Sequence, residues 1–376
     1  MNKKNELTPA QPVQHHRRSW QSGVILAVAA LLLGGCPASK TGSNGPTTPE
    51  RSADRRVTGN TGARAALAID IAGVDDKSFN AASWSGLQRA RTELGMGEGS
   101  VKYVEAREVS DYKTNLAAFA SQNYDLVFAG SYAFADALKE VAPQFPKVKF
   151  AIIDGDAPNL PNCASLQFRS QEGTYLAGYL AASMSKTRTI GFVGGKEIPI
   201  IKTFEAGYIA GAKTADPRVK VLRTYTGDWN DVSKGKSQAT QQFANGADIV
   251  FHAAGKAGLG VIQATREKGA GFYAIGVDQN QDAIAPGRVL TSVLKRVDVA
   301  TFDTVKRVNE GRFTPGKRVY GLKDGGVALT EMKYTRKNIP AAVLARLEKL
   351  SRMVAEGRVV PPSTPEAAAA FQAPKM

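Results

Sequence analysis

The sequence predicts an α/β protein of two lobes, each a parallel sheet covered by helices. Three observations carry this. The chain has 376 residues, more than one hydrophobic core usually organises. Beyond residue 64, apolar strand-like runs alternate with helix-like segments, the pattern of βαβ units. Several of those runs are continuously apolar, as expected when helices cover both faces of a parallel sheet.

In chain order the strand candidates are Ala65 to Ile71, Ser100 to Val104, Leu126 to Ala129, Lys149 to Ile153, Ser165 to Phe168, Thr189 to Val193, Lys220 to Tyr225, Ile249 to Ala253, Gly271 to Val277 and Leu290 to Leu294. Between most of them lie stretches of helical periodicity, such as Tyr112 to Gln122 and Lys234 to Gly246. The βαβ series runs twice, and no short-period repeat interrupts it. The Ala- and Pro-rich tail after Pro361 is expected to fray.

An apolar fraction of 43% is that of a globular chain. The net charge is +15, and residues 1–63 hold eight basic against three acidic residues, leaving +10 spread along the remainder. That charge forms no arginine-rich block, which argues against a nucleic-acid partner. Histidine is scarce: His15 and His16 stand near the start, so a metal centre or His-based triad would depend on His252 alone. No phosphate-binding P-loop or nucleophile elbow occurs, which leaves a carboxylate-pair hydrolase as the enzymatic alternative.

The N-terminus reads as an address. Basic residues Arg17 and Arg18 precede the apolar run Gly23 to Gly35, too short to cross a bilayer but suited to a secretory signal. The run ends in Leu33-Gly34-Gly35-Cys36, which resembles a bacterial lipobox with Cys36 as the acylated residue. Residues 1–35 are then a signal peptide, and 36–63, rich in Pro, Ser, Thr and Gly, a flexible tether. Cys163 is the only other cysteine, so with Cys36 lipidated no intrachain disulfide is expected. A transcriptional regulator of the same architecture would need a helix-turn-helix where this signal stands.

Ligands of open parallel α/β sheets bind beyond the carboxyl ends of the strands. Here those ends are polar, aromatic or glycine-rich: Asp70 with Asp75, Asp76, Phe79 and Asn80; Gly130-Ser131-Tyr132; Asp154-Gly155-Asp156; Gly194-Gly195; Gly227-Asp228-Trp229; Ala254-Gly255; Asp278-Gln279; and Lys295. Each has a structural reading as cap or turn, but they recur on both halves.

Asp70 followed by DDKSFN at 75–80, EGTYLAGYLA at 172–181, GFVGGKEIPIIKTFEAGYIAG at 191–211, GDWND at 227–231, HAAGKAGLGV at 252–261 and GVDQ at 276–279 resemble the basic membrane lipoprotein group, the PnrA-like nucleoside-binding family serving ABC transporters. The resemblance covers about residues 65–335. It implies a type I periplasmic-binding-protein fold, two doubly wound α/β lobes with three crossovers. The first lobe would span 64–168 plus 292–315, the second 169–291 plus 316–360, with 361–376 as a tail. A nucleoside, expected to be a purine, would lie in the cleft between them and be enclosed by hinge closure.

The residues suit a flat base and a polyhydroxyl sugar. Phe79 and Trp229, from opposite lobes, would clamp the base by stacking. Asp70 with Asn80 would read its edge. Asp278 and Lys295 would hold the ribose diol, with Ser131 and the Gly255 backbone nearby. Rival readings place Phe79 in a core, pair Lys295 with Asp298 at the surface, and give Asp75 and Asp76 to the helix start. Trp84 and Tyr208 read as packing residues. The chain departs from the family at Trp229, where a Phe is expected, and at Lys256, which interrupts a run of small residues.

The expectation is a non-enzymatic, monomeric solute-binding protein, lipid-anchored on the outer side of a cell membrane. It delivers a nucleoside to an ABC permease and needs no cofactor or metal. The alternative is a protein of the same fold for another small ligand.

Overall fold

A computed structural model describes residues 62–374. The expected signal peptide, Cys36 and the tether up to residue 61 lie outside the described residues.

The first lobe is assembled from β1 (Ala65–Ile69), α1 (Phe79–Glu93), β2 (Val101–Glu105), α2 (Asp111–Ser121), β3 (Leu126–Ala129), α3 (Ala135–Val141), β4 (Lys149–Ile153) and β5 (Cys163–Phe168). The second takes α4 (Ser170–Met184), β6 (Thr189–Gly194), α5 (Pro199–Ala215), β7 (Lys220–Tyr225), α6 (Val232–Ala244), β8 (Ile249–Ala253), α7 (Gly258–Lys268), β9 (Tyr273–Asp278) and β10 (Val289–Lys295). The chain then returns to the first lobe with α8 (Val297–Asn309) and β11 (Gly316–Tyr320). It finishes in the second with β12 (Val327–Leu329), α9 (Ala341–Ala355) and α10 (Pro365–Ala370).

Each lobe holds a six-stranded sheet, in the orders β11-β5-β4-β3-β1-β2 and β12-β10-β9-β8-β6-β7. All pairings are parallel except β12, which runs antiparallel to β10. Strand order therefore reverses between β1 and β3 in one lobe and between β6 and β8 in the other, and a doubly wound sheet opens its ligand crevice at such a point. The central strands β1, β3 and β8 are buried along their whole length, which explains their unbroken apolar sequences.

Two of the expected lobe boundaries move. β10 pairs with β9 up to its end, so the second sheet keeps the chain until Lys295 and not only to residue 291. β11 pairs with β5 and so belongs to the first lobe, although residues from 316 onward were expected in the second. Its sequence GKRVY is an exposed edge strand with few apolar residues, which hid it from a search for apolar runs. The three crossovers fall at Arg169, Arg296 and residues 321–326. They are tied together: Arg169 N–H donates to the Tyr320 carbonyl at 2.8 Å and Arg296 N–H to that of Gly326 at 2.9 Å.

The tail also differs from expectation. Thr364-Pro365-Glu366 starts α10, with the Thr364 hydroxyl accepting from the Ala367 N–H at 3.2 Å. Ala368 is fully buried against Ala206 and Ile209 of α5, so this segment packs on the second lobe.

In that lobe α4 and α5 touch backbone to backbone. A Cβ on Gly211 would lie 1.8 Å from the Tyr175 carbonyl oxygen, and one on Gly178 2.0 Å from that of Tyr208. Gly211→Ala is therefore expected to force the helices apart and lower stability by about 1–3 kcal/mol, read as a lower unfolding midpoint. An unchanged midpoint would show that the pair relaxes freely.

Candidate ligand-binding cleft

The carboxyl ends of both sheets face one cleft, which encloses about 610 Å³ of atom-free space, its mouth included. All eight residues proposed from the sequence line it: Asp70, Phe79, Asn80, Ser131, Trp229, Gly255, Asp278 and Lys295. Asp70 and Ser131 follow β1 and β3, while Gly195 and Gly255 follow β6 and β8, so the two strand-order reversals look at each other across the cleft.

At one end, the loop after β1 folds back on itself. The Asp70 Oδ1 accepts from the Ala72 N–H at 3.0 Å and from the Asn80 amide at 3.1 Å, and the same amide donates to the Gly73 carbonyl at 3.0 Å. Asp76, nearly inaccessible, accepts from the backbone N–H groups of Ser78, Asn80 and Ala81 at 2.9, 2.8 and 3.0 Å. It thus starts α1, the role the sequence favoured, and also lines the cleft. Burial pushes its carboxyl up to about 6 against those three amides. Asp75 is exposed, and its 2.9 Å pair with Lys77 holds it below the usual carboxylate range, with Lys256 of the other lobe adding to the effect.

Trp229 enters from the loop after β7. Its indole packs directly against Gly195, where a Cβ would come within 2.1 Å of Cζ3. Its carbonyl accepts from the Ala257 N–H at 2.8 Å. The Asp228 carboxylate orders the turn by accepting from Asn230 and Asp231 N–H at 2.6 and 2.9 Å. Tyr132, named from the sequence at the end of β3 but not chosen as a site residue, stands near both Asp70 and Trp229; burial and the Asp70 charge push its phenol up. The Ser131 hydroxyl accepts from the Ala133 N–H at 3.4 Å, so part of its capacity goes to capping a short turn.

The other end is charged and buried. Lys295, 2% exposed, pairs with Asp154, which directly follows β4 of the first lobe. Its Nζ lies 5.0, 5.1 and 5.5 Å from the ring centroids of Phe79, Phe168 and Phe204. The surface pairing with Asp298 does not occur, because Arg296 takes that carboxylate at 2.9 Å. Asp278 closes β9 with a left-handed backbone (φ 64°) and accepts a hydrogen bond from the Ser78 hydroxyl. Burial pushes both Asp154 and Asp278 up, and Lys295 opposes the shift.

Asp154 and Phe204 are lining residues the sequence reading did not select. Asp154 carried the same signal as its neighbours, a polar residue at a strand end. Phe79 is half-buried and does both jobs weighed for it, packing on the first core and lining the cleft. Trp84 and Tyr208 pack in the cores.

The lobes are latched across the cleft. Asn230 Nδ2 donates to the Ile71 carbonyl at 2.9 Å, Gln279 Nε2 to that of Ser78 at 3.0 Å and Gln281 Nε2 to that of Lys77 at 3.0 Å. Gln281 is in turn held by buried His252 at 2.9 Å, whose imidazole burial lowers to about 4 and so keeps neutral. Among the described residues no group of His, Cys, Asp and Glu is placed to hold a metal ion, and no helix is long and apolar enough to cross a membrane.

The family described as ABC transporter substrate-binding protein PnrA-like matches residues 64–355. The chain belongs to this family. It is 32% identical over 359 residues to the ABC transporter nucleoside-binding protein BmpA of Lactococcus lactis, covering 91% of this chain and 97% of that one. It is 36% identical over 298 residues to basic membrane protein A of Borreliella burgdorferi, covering 78% and 86%. A solute-binding protein of an ABC transporter system from Aeropyrum pernix superposes with a TM-score of 0.75 at 27% identity, over 82% of this chain and 96% of that chain. An arabinose-binding protein from Geobacillus stearothermophilus, at 13% identity and a TM-score of 0.55 over 74% and 100%, shares the fold alone. The fold is the periplasmic-binding-protein type, and PnrA-like proteins are substrate-binding components of ABC transporters, a family of binders.

Proposed function

We propose that this PnrA-like protein is lipid-anchored through Cys36 outside the cytoplasmic membrane, captures a purine nucleoside as a monomer, and hands it to an ABC permease. The carrying observation is the cleft: rings from opposite lobes, Phe79 and Trp229, line it together with the amide–carboxylate pair of Asn80 and Asp70 and the charged groups of Asp278 and Lys295. A flat base and a sugar diol call for those groups. Asp70 and Asn80 face the base, Asp278 and Lys295 the ribose, and Ser131 and the Gly255 backbone flank the ligand. The nucleoside-binding BmpA of Lactococcus lactis, a relative of this chain, agrees with this reading.

Capture without chemistry is the better reading of the same cleft. Its acids are capped, ion-paired or hydrogen-bonded within the protein, and His252 is buried against Gln281. Calorimetric titration of the purified protein is expected to show saturable 1:1 binding of at least one of inosine, guanosine and adenosine. Binding of another metabolite with no response to any nucleoside would sink the nucleoside reading while leaving a solute-binding protein.

A further inference from the structure

We propose that the cleft prefers a guanine-type base, because Asn80 and Asp70 offer it only hydrogen-bond acceptors and so require two adjacent donors. This rests on the nucleoside reading and goes further by naming the base.

The orientation of the Asn80 amide is fixed by its surroundings. Its nitrogen lies 3.1 Å from Asp70 Oδ1 and 3.0 Å from the Gly73 carbonyl, both acceptors. Turning the amide over would set an oxygen against two oxygens with no proton between them. Both Nδ2 protons are therefore engaged, and Oδ1 is the atom left over. That oxygen is buried without a partner, on a side chain only 1% exposed in the lining of the cleft. A buried acceptor without a donor destabilises the protein until something donates to it. Asp70, half-buried beside it, has its Oδ1 occupied by the Ala72 N–H and Asn80, and among the described residues its Oδ2 receives no protein donor, so that oxygen is free to accept from a ligand.

The bases differ at this point. Guanine presents N1–H beside the N2 amine, two donors side by side. Hypoxanthine has N1–H beside a carbon-bound hydrogen. Adenine sets its amine beside N1 or N7, and cytosine sets its amine beside N3, so each turns a lone pair toward the second acceptor. Uracil flanks its single N–H with two carbonyl oxygens. A site built to satisfy a hydrogen bond rejects an analogue that cannot make it more strongly than an apolar pocket rejects a misfit.

The test is calorimetric titration of the purified full chain with guanosine, inosine and adenosine in one buffer. Guanosine is expected to bind roughly tenfold or more tighter than inosine, with adenosine weaker still. In Asn80→Ser the guanosine-to-inosine ratio is expected to fall toward one, a readout that loss of folded protein alone would not produce. If that variant does not fold, the wild-type series still decides. Adenosine or inosine binding as tightly as guanosine overturns the base inference and leaves the nucleoside reading standing. No binding of any nucleoside overturns both.

Discussion

Lys295→Met is expected to weaken ligand capture by about 100-fold or more and to destabilise the protein. Lys295 is 2% exposed and its ammonium is the charge partner of Asp154, with Asp278 in the same buried group. Removing one member of a buried pair leaves the other without compensation, at a cost of about 3–5 kcal/mol. A ligand would also lose the ammonium donor at this end of the cleft, so the two losses should appear together, as a fall in affinity and a lower unfolding midpoint. The variant should show a pH signature as well. Burial already pushes Asp154 and Asp278 up, and Lys295 restrains both. Without it their folded-state values rise further above those of the unfolded chain, so the folded form binds protons more tightly. Its stability deficit should therefore shrink as pH falls through those raised values. Chemical denaturation of wild type and variant across a pH series measures this. An affinity within threefold of wild type, or a deficit independent of pH, would show that Lys295 is merely a spacer.

The extent to which the chain announced this arrangement follows from which interactions are local. β1, β3 and β8 are buried on both faces, and that burial writes itself into the sequence as unbroken apolar runs. Once strands and helices alternate, the polar residue after each strand must lie on one rim of the sheet. All eight proposed residues reach one cleft for that reason. Pairings that form only when distant segments meet leave no such trace. Lys295 stands 141 positions from Asp154, its actual partner, and only three from Asp298, which the sequence offered. β11 is held by backbone bonding to β5 and not by apolar side chains, so its GKRVY sequence resembles a loop. Phe204 sits in a helix whose apolar face also packs the core, and periodicity cannot separate the ring that looks into a cleft from those that look away.

Trp229→Ala is expected to reduce nucleoside affinity at least tenfold while leaving the second lobe folded. Base stacking on an aromatic ring contributes about 1–3 kcal/mol. The indole is already packed against Gly195. The loop that carries it keeps its backbone bond from the Ala257 N–H and its Asp228 turn in the variant, since neither uses the indole. Phe79→Ala should lose affinity similarly, and both variants should lose some stability, because Phe79 packs on the first core and Trp229 on the second; Phe79 also lies 5.0 Å from the Lys295 ammonium. Two further substitutions separate a stacking role from simple cavity filling. Trp229→Phe restores a ring at the position where related chains are expected to carry Phe, and should recover affinity to within a few-fold. Gly195→Ala leaves the indole in the sequence but drives a methyl into the space it occupies, so it should mimic Trp229→Ala in binding without removing an aromatic residue. Unchanged affinity in both Trp229→Ala and Phe79→Ala would refute the clamp. Loss in Trp229→Ala with full affinity in Gly195→Ala would show that the indole acts in some other orientation than the one it holds against Gly195.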